Sequence, residues 1–293
     1  MTTPDGAVLC ACIGAGLLYG LLGSITHLRR QSLRGDVLAH AAWPGVLVGF
    51  AITGDRSPLI LALGALVFTI GFGLLITWME RLFPRLKGDG APALLLSGSF
   101  ALGSVLWSLM QRHLEGLGQA GLKTFLLGQA AAVQWLDAGI LLGIFSTAGL
   151  FVFFLGRDIA DTLFDRDQAF LQGQPALIVE WALDLFLALG VVCGLQVVGM
   201  VVLSALLVAL PLAARPHTRK FGTFVFLSSL LGALVGFVTP WVVILLEISF
   251  GHPGRGIPTG PIFVLLATLM ALVSIFTTTV AKRTTIGREG VQS

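Results

Sequence analysis

Long apolar runs alternate with short polar segments along the whole chain. A helix that crosses a bilayer needs about 20 mostly apolar residues. The pattern predicts nine such helices, with eight to ten as the range, because the sixth and seventh runs nearly touch and Pro240 interrupts the eighth. The runs are, approximately, 7–27, 37–53, 58–79, 92–111, 135–156, 176–192, 196–214, 221–245 and 260–281. We therefore expect an all-α polytopic membrane protein.

The composition supports this prediction and limits the domain organisation. Hydrophobic residues make up 56% of the 293 positions and charged residues only 11%, whereas soluble domains are roughly 25% charged. No polar segment is long enough to fold alone, so a single transmembrane domain over 1–293 is expected. The net charge of +3 comes from basic residues at helix ends. Such residues indicate orientation in a lipid bilayer, and no nucleic-acid partner is predicted.

The distribution of basic residues predicts which side of the membrane each segment occupies. With nine spans and the N-terminus outside, 14 of the 18 Lys and Arg residues fall in inner segments. The remaining four are Arg56, Arg112, Lys123 and Arg255. Because positive residues concentrate on the cytoplasmic side, we expect the N-terminus outside and the C-terminus inside.

An aspartate and a histidine, Asp36 and His40, lie at the start of the second run. Ionisable side chains are costly in hydrocarbon and are usually functional there. Residues four apart share one face of a helix, and carboxylate with imidazole suits Mn(II), Fe(II) or Zn(II). Two ligands make half of a site, which a second chain would complete across a dimer axis. The alternative is that Asp36 is an ordinary N-cap and His40 a polar residue between helices. Pro44 predicts a kink just past the pair, because it cannot donate to the His40 carbonyl.

Three further acidic residues are secondary candidates for metal binding. Glu180 and Asp184 are also four residues apart, near the inner end of the sixth run, and Glu247 lies near the outer mouth. The alternative for the first two is a position in the cytosolic vestibule or a contact with an inner arginine. Glu247 is alternatively an interfacial residue.

The polar segment between the fifth and sixth runs has an amphipathic pattern. Asp161 or Asp165 is a candidate N-cap, and Gly173 a candidate stop, for a short helix in this inner segment. Such a helix suits docking onto a soluble partner, or alternatively lies on the lipid surface.

Residues 20–50 read GLLGSITHLRRQSLRGDVLAHAAWPGVLVGF and contain the pattern LRRxSLxGDxxxHAxxPGV. This pattern resembles that of one family, the permease subunits of bacterial manganese/zinc/iron ABC importers. Residues 195–215 and 257–267 resemble two further family blocks, and FDRDQAFLQG at 164–173 is a looser match. The resemblance extends in order over nearly the whole chain.

The resemblance implies a type II importer fold, like that of the vitamin B12 importer, in the bacterial inner membrane. It implies that Asp36 and His40 are the metal-coordinating pair. It also implies that the loop 158–174 couples to an ATPase, although Arg166 stands where the family often has proline. The coupling residues are Phe164, Asp165, Arg166, Asp167, Ala169 and Gly173.

The expected function is therefore that of a permease that passes Mn, Zn or Fe from an extracytoplasmic binding protein to the cytosol by alternating access. A second permease, identical or related, is an expected partner. No cofactor is expected besides the transported ion. The chain has no Walker A loop, so hydrolysis is assigned to the separate ATPase and the chain is not expected to be an enzyme. The alternative is a proton-coupled carrier that uses Asp36 with Glu180 or Asp184 as a relay.

Overall fold

The computed structural model describes residues 5–29, 31–54, 57–86, 88–113, 133–164, 171–249 and 258–289. Over these residues the chain forms nine long helices and no strand, and each helix is long and apolar enough to cross a membrane. The nine predicted spans are thereby confirmed. The helices are α1 Gly6–Leu28, α2 Ser32–Thr53, α3 Pro58–Leu82, α4 Gly90–His113, α5 Trp135–Phe164, α6 Ala176–Val197, α7 Met200–Ala214, α8 Phe221–Ser249 and α9 Thr259–Glu289. Short 3₁₀ turns at Pro84–Leu86 and Arg215–His217 follow α3 and α7.

Helix α1 is the centre of the bundle, and its main partner is α8. The two run antiparallel, with Gly16 against Gly232 and Gly20 against Ser228. A Cβ atom added at Gly16 would overlap the Gly232 carbonyl, so only glycine permits this approach of the two backbones. The Ser228 hydroxyl donates to the Gly20 carbonyl at 2.7 Å across the same contact. Small residues thus join these two helices backbone to backbone.

Helix α2 is held between α3, α4 and α7. Gly45 lies directly against the backbone of Gly64 on α3, and Gly103 on α4 receives the indole of Trp43. Trp43 also packs on Trp107, with ring centroids 5.6 Å apart. Helical structure continues through Pro44 to Thr53. These contacts fix the rotation of α2 and therefore the direction in which its polar side chains point.

The connection between α6 and α7 differs from the prediction. The apolar pattern placed the end of the sixth span at 192 and the start of the seventh at 196, but α6 continues to Val197 and α7 begins at Met200. Gly199 interrupts the helix with φ 87° and ψ 157°, a conformation that glycine adopts without steric cost. Helix α7 then packs mainly on α9 and α1 and little on α6. A two-residue link, and not a packed hairpin, joins the two helices.

The fifth span also extends further than predicted. Helix α5 contains a non-helical residue, Leu155, with φ −105° and ψ 15°, and continues beyond it to Phe164. Asp161 is therefore inside α5, so the prediction that it N-caps a separate helix is wrong. Its carboxylate instead accepts a hydrogen bond of 3.0 Å from the Gln174 amide. Gly173 follows a helical Leu171 and has φ 74°, which is the conformation expected of a glycine that stops a helix.

Candidate metal site

The residues Asp36 and His40 lie together on one face of α2, as their spacing predicts. The distance from His40 Nε2 to Asp36 Oδ1 is 3.6 Å. The two side chains keep 27% and 19% of their surface exposed, so a ligand can reach both. A carboxylate oxygen and an imidazole nitrogen on adjacent turns form a two-donor arrangement suited to a divalent transition-metal ion.

The start of α2 excludes the alternative that Asp36 is an N-cap. The helix begins at Ser32, and its N-cap position is Gln31. Asp36 is thus the fifth helical residue, and at a rise of 1.5 Å per residue it lies about 6 Å along the axis, with His40 about 12 Å along it. The pair occupies the second and third turns of a spanning helix, inside it and not at its end.

The surroundings of the pair are apolar on one side and open on the other. The His40 ring meets Phe100 of α4 edge-on, with centroids 5.9 Å apart. Among the described residues, no group of three or more His, Cys, Asp or Glu side chains is close enough to hold a metal ion together. The described part of this chain therefore supplies two donors and leaves the other coordination positions to other groups.

Asp184 lies in a different environment. Its Oδ1 accepts a hydrogen bond of 2.6 Å from Arg29 Nη1, and its Oδ2 accepts one of 2.7 Å from Arg34 Nη2. Arg29 Nη2 also reaches the backbone carbonyl of Glu180 at 3.4 Å. The sequence analysis gave a contact with an inner arginine as the alternative to metal binding for this pair. Asp184 makes such a contact with both Arg29 and Arg34.

The same cluster extends to α3 through the turn between α1 and α2. Arg34 donates to Gln31 Oε1 and to Thr77 Oγ1, both at 3.0 Å. The Gln31 amide donates to the Glu80 carboxylate at 3.1 Å. Charged and amide side chains from α1, α2, α3 and α6 thus form one connected network, which we call the arginine cluster and define as Arg29, Gln31, Arg34, Thr77, Glu80 and Asp184.

Sequence reasoning did not find the arginine cluster as a unit. Arg29 and Arg34 were counted among the basic residues of the inner segments, and Arg29 also belongs to the family pattern, but neither arginine was paired with a particular aspartate. The available signal was that Arg34 lies two residues before Asp36, within the segment that forms α2. In the structure Arg34 is only 4% exposed, and an arginine is almost never buried to this degree unless it is paired.

A cavity of about 820 Å³ adjoins the arginine cluster between α3 and α6. Arg29, Arg34, Glu80 and Asp184 contribute to its polar wall, and Leu38 lines its apolar part. Asp36 and His40 are not among its lining residues. They are on the opposite side of α2 because positions two residues apart are about 200° apart around a helix. The cluster and the metal pair therefore use different faces of the same helix.

Glu247 lies far from the pair. It is near the C-terminal end of α8, which runs antiparallel to α1 with Gly236 against Cys12 and Ser228 against Gly20. Glu247 is consequently beyond the end of the bundle at which α1 begins, whereas Arg29 and the start of α2 are at the other end. The structure does not bring it together with Asp36 and His40.

The predicted coupling residues are described only in part. Phe164 ends α5 with 70% of its surface exposed, and it borders a cavity of about 660 Å³ together with His27 and Arg215. Gly173 forms the turn after Leu171. The other four predictions, Asp165, Arg166, Asp167 and Ala169, lie outside the described residues.

Comparison with known proteins identifies the family. The family model of the ABC 3 transport family matches residues 6–278. The chain belongs to this family.

Two members of known transport systems are similar to this chain over most of its length. The chain is 33% identical over 271 residues to the zinc transport system membrane protein TroC of Treponema pallidum, covering 92% of this chain and 87% of TroC. It is 34% identical over 273 residues to the manganese transport system membrane protein MntC of Bacillus subtilis, covering 92% of this chain but 59% of that longer protein.

The solved structures agree with the fold. PsaBC from Streptococcus pneumoniae, in complex with Fab, matches with a TM-score of 0.72 and 27% identity, covering 91% of this chain and 89% of the other. An inward-facing metal-chelate type ABC transporter matches with a TM-score of 0.66 at 19% identity, and it supports the fold alone. This ABC 3 family member is therefore a multi-pass inner-membrane transport subunit with the permease fold, and not itself an enzyme.

Proposed function

We propose that the chain is the permease of an importer for Mn(II) or Zn(II), in which the ion passes the Asp36–His40 pair. The observation that carries the proposal is the 3.6 Å approach of a carboxylate and an imidazole on a partly exposed face of a spanning helix, in a member of a transport family. The names of TroC and MntC refer to zinc and manganese. Iron is compatible with the same donors, although no relative reported above is named for it.

A second permease completes the site. Two donors leave a first-row metal ion short of the four ligands that zinc prefers, and the described residues place no third His, Cys, Asp or Glu side chain beside them. A two-fold axis beside the exposed face of α2 would bring two Asp–His pairs together. The partner is then either a second copy of this chain or a related permease that supplies an equivalent pair.

The energy source in this proposal is a separate ATPase. The segment 158–174 transmits closure of the ATPase dimer to the spanning helices, an extracytoplasmic binding protein delivers the ion, and the path alternates between outward and inward access. The exposed Phe164 at the end of α5 is a suitable apolar contact for the ATPase. The positive-inside distribution supports a cytosolic position for this segment and for the C-terminus.

Membership of the ABC 3 transport family favours this mechanism over a proton-coupled carrier. The engagement of both Asp184 oxygens by arginines also argues against a relay that would use Asp184. The two mechanisms differ in energy source. Uptake by the importer stops when ATP is depleted, whereas uptake by a carrier survives ATP depletion and stops with an uncoupler.

The decisive test is uptake of radioactive Mn(II) and Zn(II) by cells that express the complete transporter. Asp36→Ala and His40→Ala are expected to reduce uptake to background while the complex still assembles. Asp5→Asn, a change at the exposed far end of α1, serves as control and is expected to transport normally. Unchanged uptake in both alanine variants would overturn the proposal, and competition among Mn(II), Zn(II) and Fe(II) identifies the preferred ion.

The coupling role has its own test. Phe164→Ala and charge reversal at Asp165 and Asp167 are expected to weaken co-purification of the ATPase and leave metal binding to the permease intact. Undiminished co-purification in all these variants would show that the ATPase docks elsewhere.

A further inference from the structure

We infer that Asp184 is a positioning residue for the metal pair: by holding Arg34, it fixes the start of α2 and hence the placement of Asp36 and His40. The inference rests on the proposed function, because it assigns Asp184 a role toward the metal site proposed above. It also assigns Asp184 a role other than that of a second metal ligand.

The hydrogen bonds of Asp184 exclude a ligand role in this structure. Each carboxylate oxygen accepts a short, charge-assisted hydrogen bond from a different arginine, at 2.6 Å from Arg29 and 2.7 Å from Arg34. Bonds of this length between ionised groups are among the strongest in proteins. A metal ion would have to displace a guanidinium group that has little access to water, since the Arg29 and Arg34 side chains are 10% and 4% exposed.

Arg34 carries the effect of Asp184 to the metal site. It belongs to α2 and lies two residues before Asp36. Its guanidinium group bonds to Asp184 on α6 and Thr77 on α3, so it ties the first turn of α2 to two other helices. Because the helix is rigid over one or two turns, a displacement of Arg34 also displaces the Asp36 carboxylate on the other face.

The rest of the arginine cluster limits the other movements of this turn. Gln31, at the N-cap position of α2, donates to Glu80 of α3 and accepts from Arg34. Gly35 leaves room for Leu207 of α7, whose Cδ1 would lie 2.5 Å from an added Cβ. The start of α2 is thus bonded on one side and packed on another. Groups that hydrogen-bond directly to metal ligands typically change metal affinity by about 10–100-fold when they are lost. Because Asp184 acts on the ligands through Arg34, we expect an effect at the lower end of this range.

The experiment uses the complete transporter in lipid nanodiscs and measures the Kd for Mn(II) together with hydrogen–deuterium exchange of the backbone amides of residues 32–43. Asp184→Asn is expected to raise the Kd by about tenfold and to speed exchange at the start of α2. Arg34→Gln is expected to do the same. Arg29→Gln is expected to have a smaller effect on both measurements, because Arg29 caps the C-terminal end of α1 and does not hold α2 directly. Asp5→Asn makes the same Asp-to-Asn change at an exposed position and is expected to alter neither measurement.

Two further variants keep the inference testable if Asp184→Asn folds poorly. Asp184→Glu retains the charge and is expected to restore most of the affinity. The double variant Arg34→Gln with Asp184→Asn removes one charge of each sign. We expect it to assemble and to bind Mn(II) no more weakly than either single variant, because both changes break the same link.

Each outcome has a definite meaning. Native affinity in Asp184→Asn, additive losses in the double variant, or failure of every variant including Asp184→Glu to assemble would overturn the positioning role. An Asp184→Asn protein that loses metal binding completely while exchange at residues 32–43 stays native would show Asp184 to be a ligand instead.

Failure of the proposed metal function gives a different result. In that case Asp36→Ala and His40→Ala leave Mn(II) binding unchanged, while exchange at the start of α2 still responds to Asp184→Asn.

Discussion

Two pairs of ionisable residues have the same spacing in sequence and opposite surroundings in the fold. Asp36 and His40 on α2 contact each other, and no Lys or Arg among the described residues forms an ion pair with Asp36. Asp184, four residues after Glu180 on α6, is instead bonded to two arginines. The comparison shows that a spacing of four residues selects a helix face but not a role. The countercharge that meets that face decides whether a carboxylate can bind a metal ion or serves as an anchor.

The difference in partners has energetic consequences, because the two carboxylates are almost equally exposed, 27% for Asp36 and 26% for Asp184. A carboxylate that is to bind and release a cation must be without a strong competing countercharge, as Asp36 is among the described residues. A carboxylate that compensates a buried arginine stabilises mainly by preventing the large cost of an unpaired buried charge. The same substitution is therefore expected to cost far more stability at Asp184 than at Asp36.

The largest expected difference is in stability. Asp184→Asn leaves Arg29 and the buried Arg34 without a carboxylate, which typically costs about 3–5 kcal/mol. Asp36→Asn leaves no buried arginine among the described residues without its partner, and it is expected to cost less than about 1 kcal/mol. Thermal unfolding of the reconstituted complex without added metal checks this, and equal decreases in Tm for the two variants would contradict the comparison.

A slightly smaller effect is expected from added metal. A ligand that binds only the folded protein stabilises it by about 2.7 kcal/mol at a concentration 100 times its Kd. Mn(II) or Zn(II) is therefore expected to raise the Tm of the native protein and of Asp184→Glu, and to leave that of Asp36→Asn unchanged. Calorimetric titration of the melting transition with each ion measures the shift. A metal-dependent shift that persists in Asp36→Asn and disappears in Asp184→Glu would reverse the two assignments.

The smallest expected effect is at the edge of the arginine cluster. Thr77→Val preserves the shape of the side chain and removes a hydrogen bond of 3.0 Å in which the Arg34 guanidinium donates to the threonine hydroxyl. The expected loss is about 1.5 kcal/mol of stability, the lower end for a hydrogen bond to a charged group. The change in Mn(II) affinity is expected to be smaller than in Asp184→Asn, since the arginines keep their carboxylate. Denaturation and binding measured on the same preparation test this order. An affinity loss as large as that of Asp184→Asn would place the critical link at α3 and not at α6.

The sequence was sufficient to predict the number of spanning helices and the Asp36–His40 contact. Both follow from local rules: the length of an apolar run decides whether a helix can span a bilayer, and four-residue spacing brings two side chains together on one face. The start of α2 was predicted five residues late, at 37 instead of Ser32, because the polar segment RQSLRGD was taken for a loop. The Gln31 amide and the Arg34 guanidinium bond to side chains of α3 and α6, which allows this segment to be helical.

The features that sequence reasoning missed depend on distant parts of the chain. Arg29 and Arg34 meet Asp184 across 155 and 150 positions of sequence, and no periodicity specifies which arginine a given aspartate will meet. The break between α6 and α7 was misplaced because the polar Gln196 suggested an end of the apolar run there, whereas the helix is interrupted at Gly199, which has only apolar residues next to it. The extension of α5 to Phe164 was missed because charged residues mark the end of the apolar run but do not end a helix.

The backbone contact between α1 and α8 constrains how the bundle can move. With Gly16 seated on Gly232 and Gly236 on Cys12, neither helix can slide along the other without first separating, because the flanking side chains would collide with the opposing backbone. The two helices must therefore travel as one rigid body whenever the protein changes conformation. Helical geometry is interrupted at Leu155 in α5 and at Gly199 between α6 and α7, and we expect other helices to move relative to this pair at these two positions.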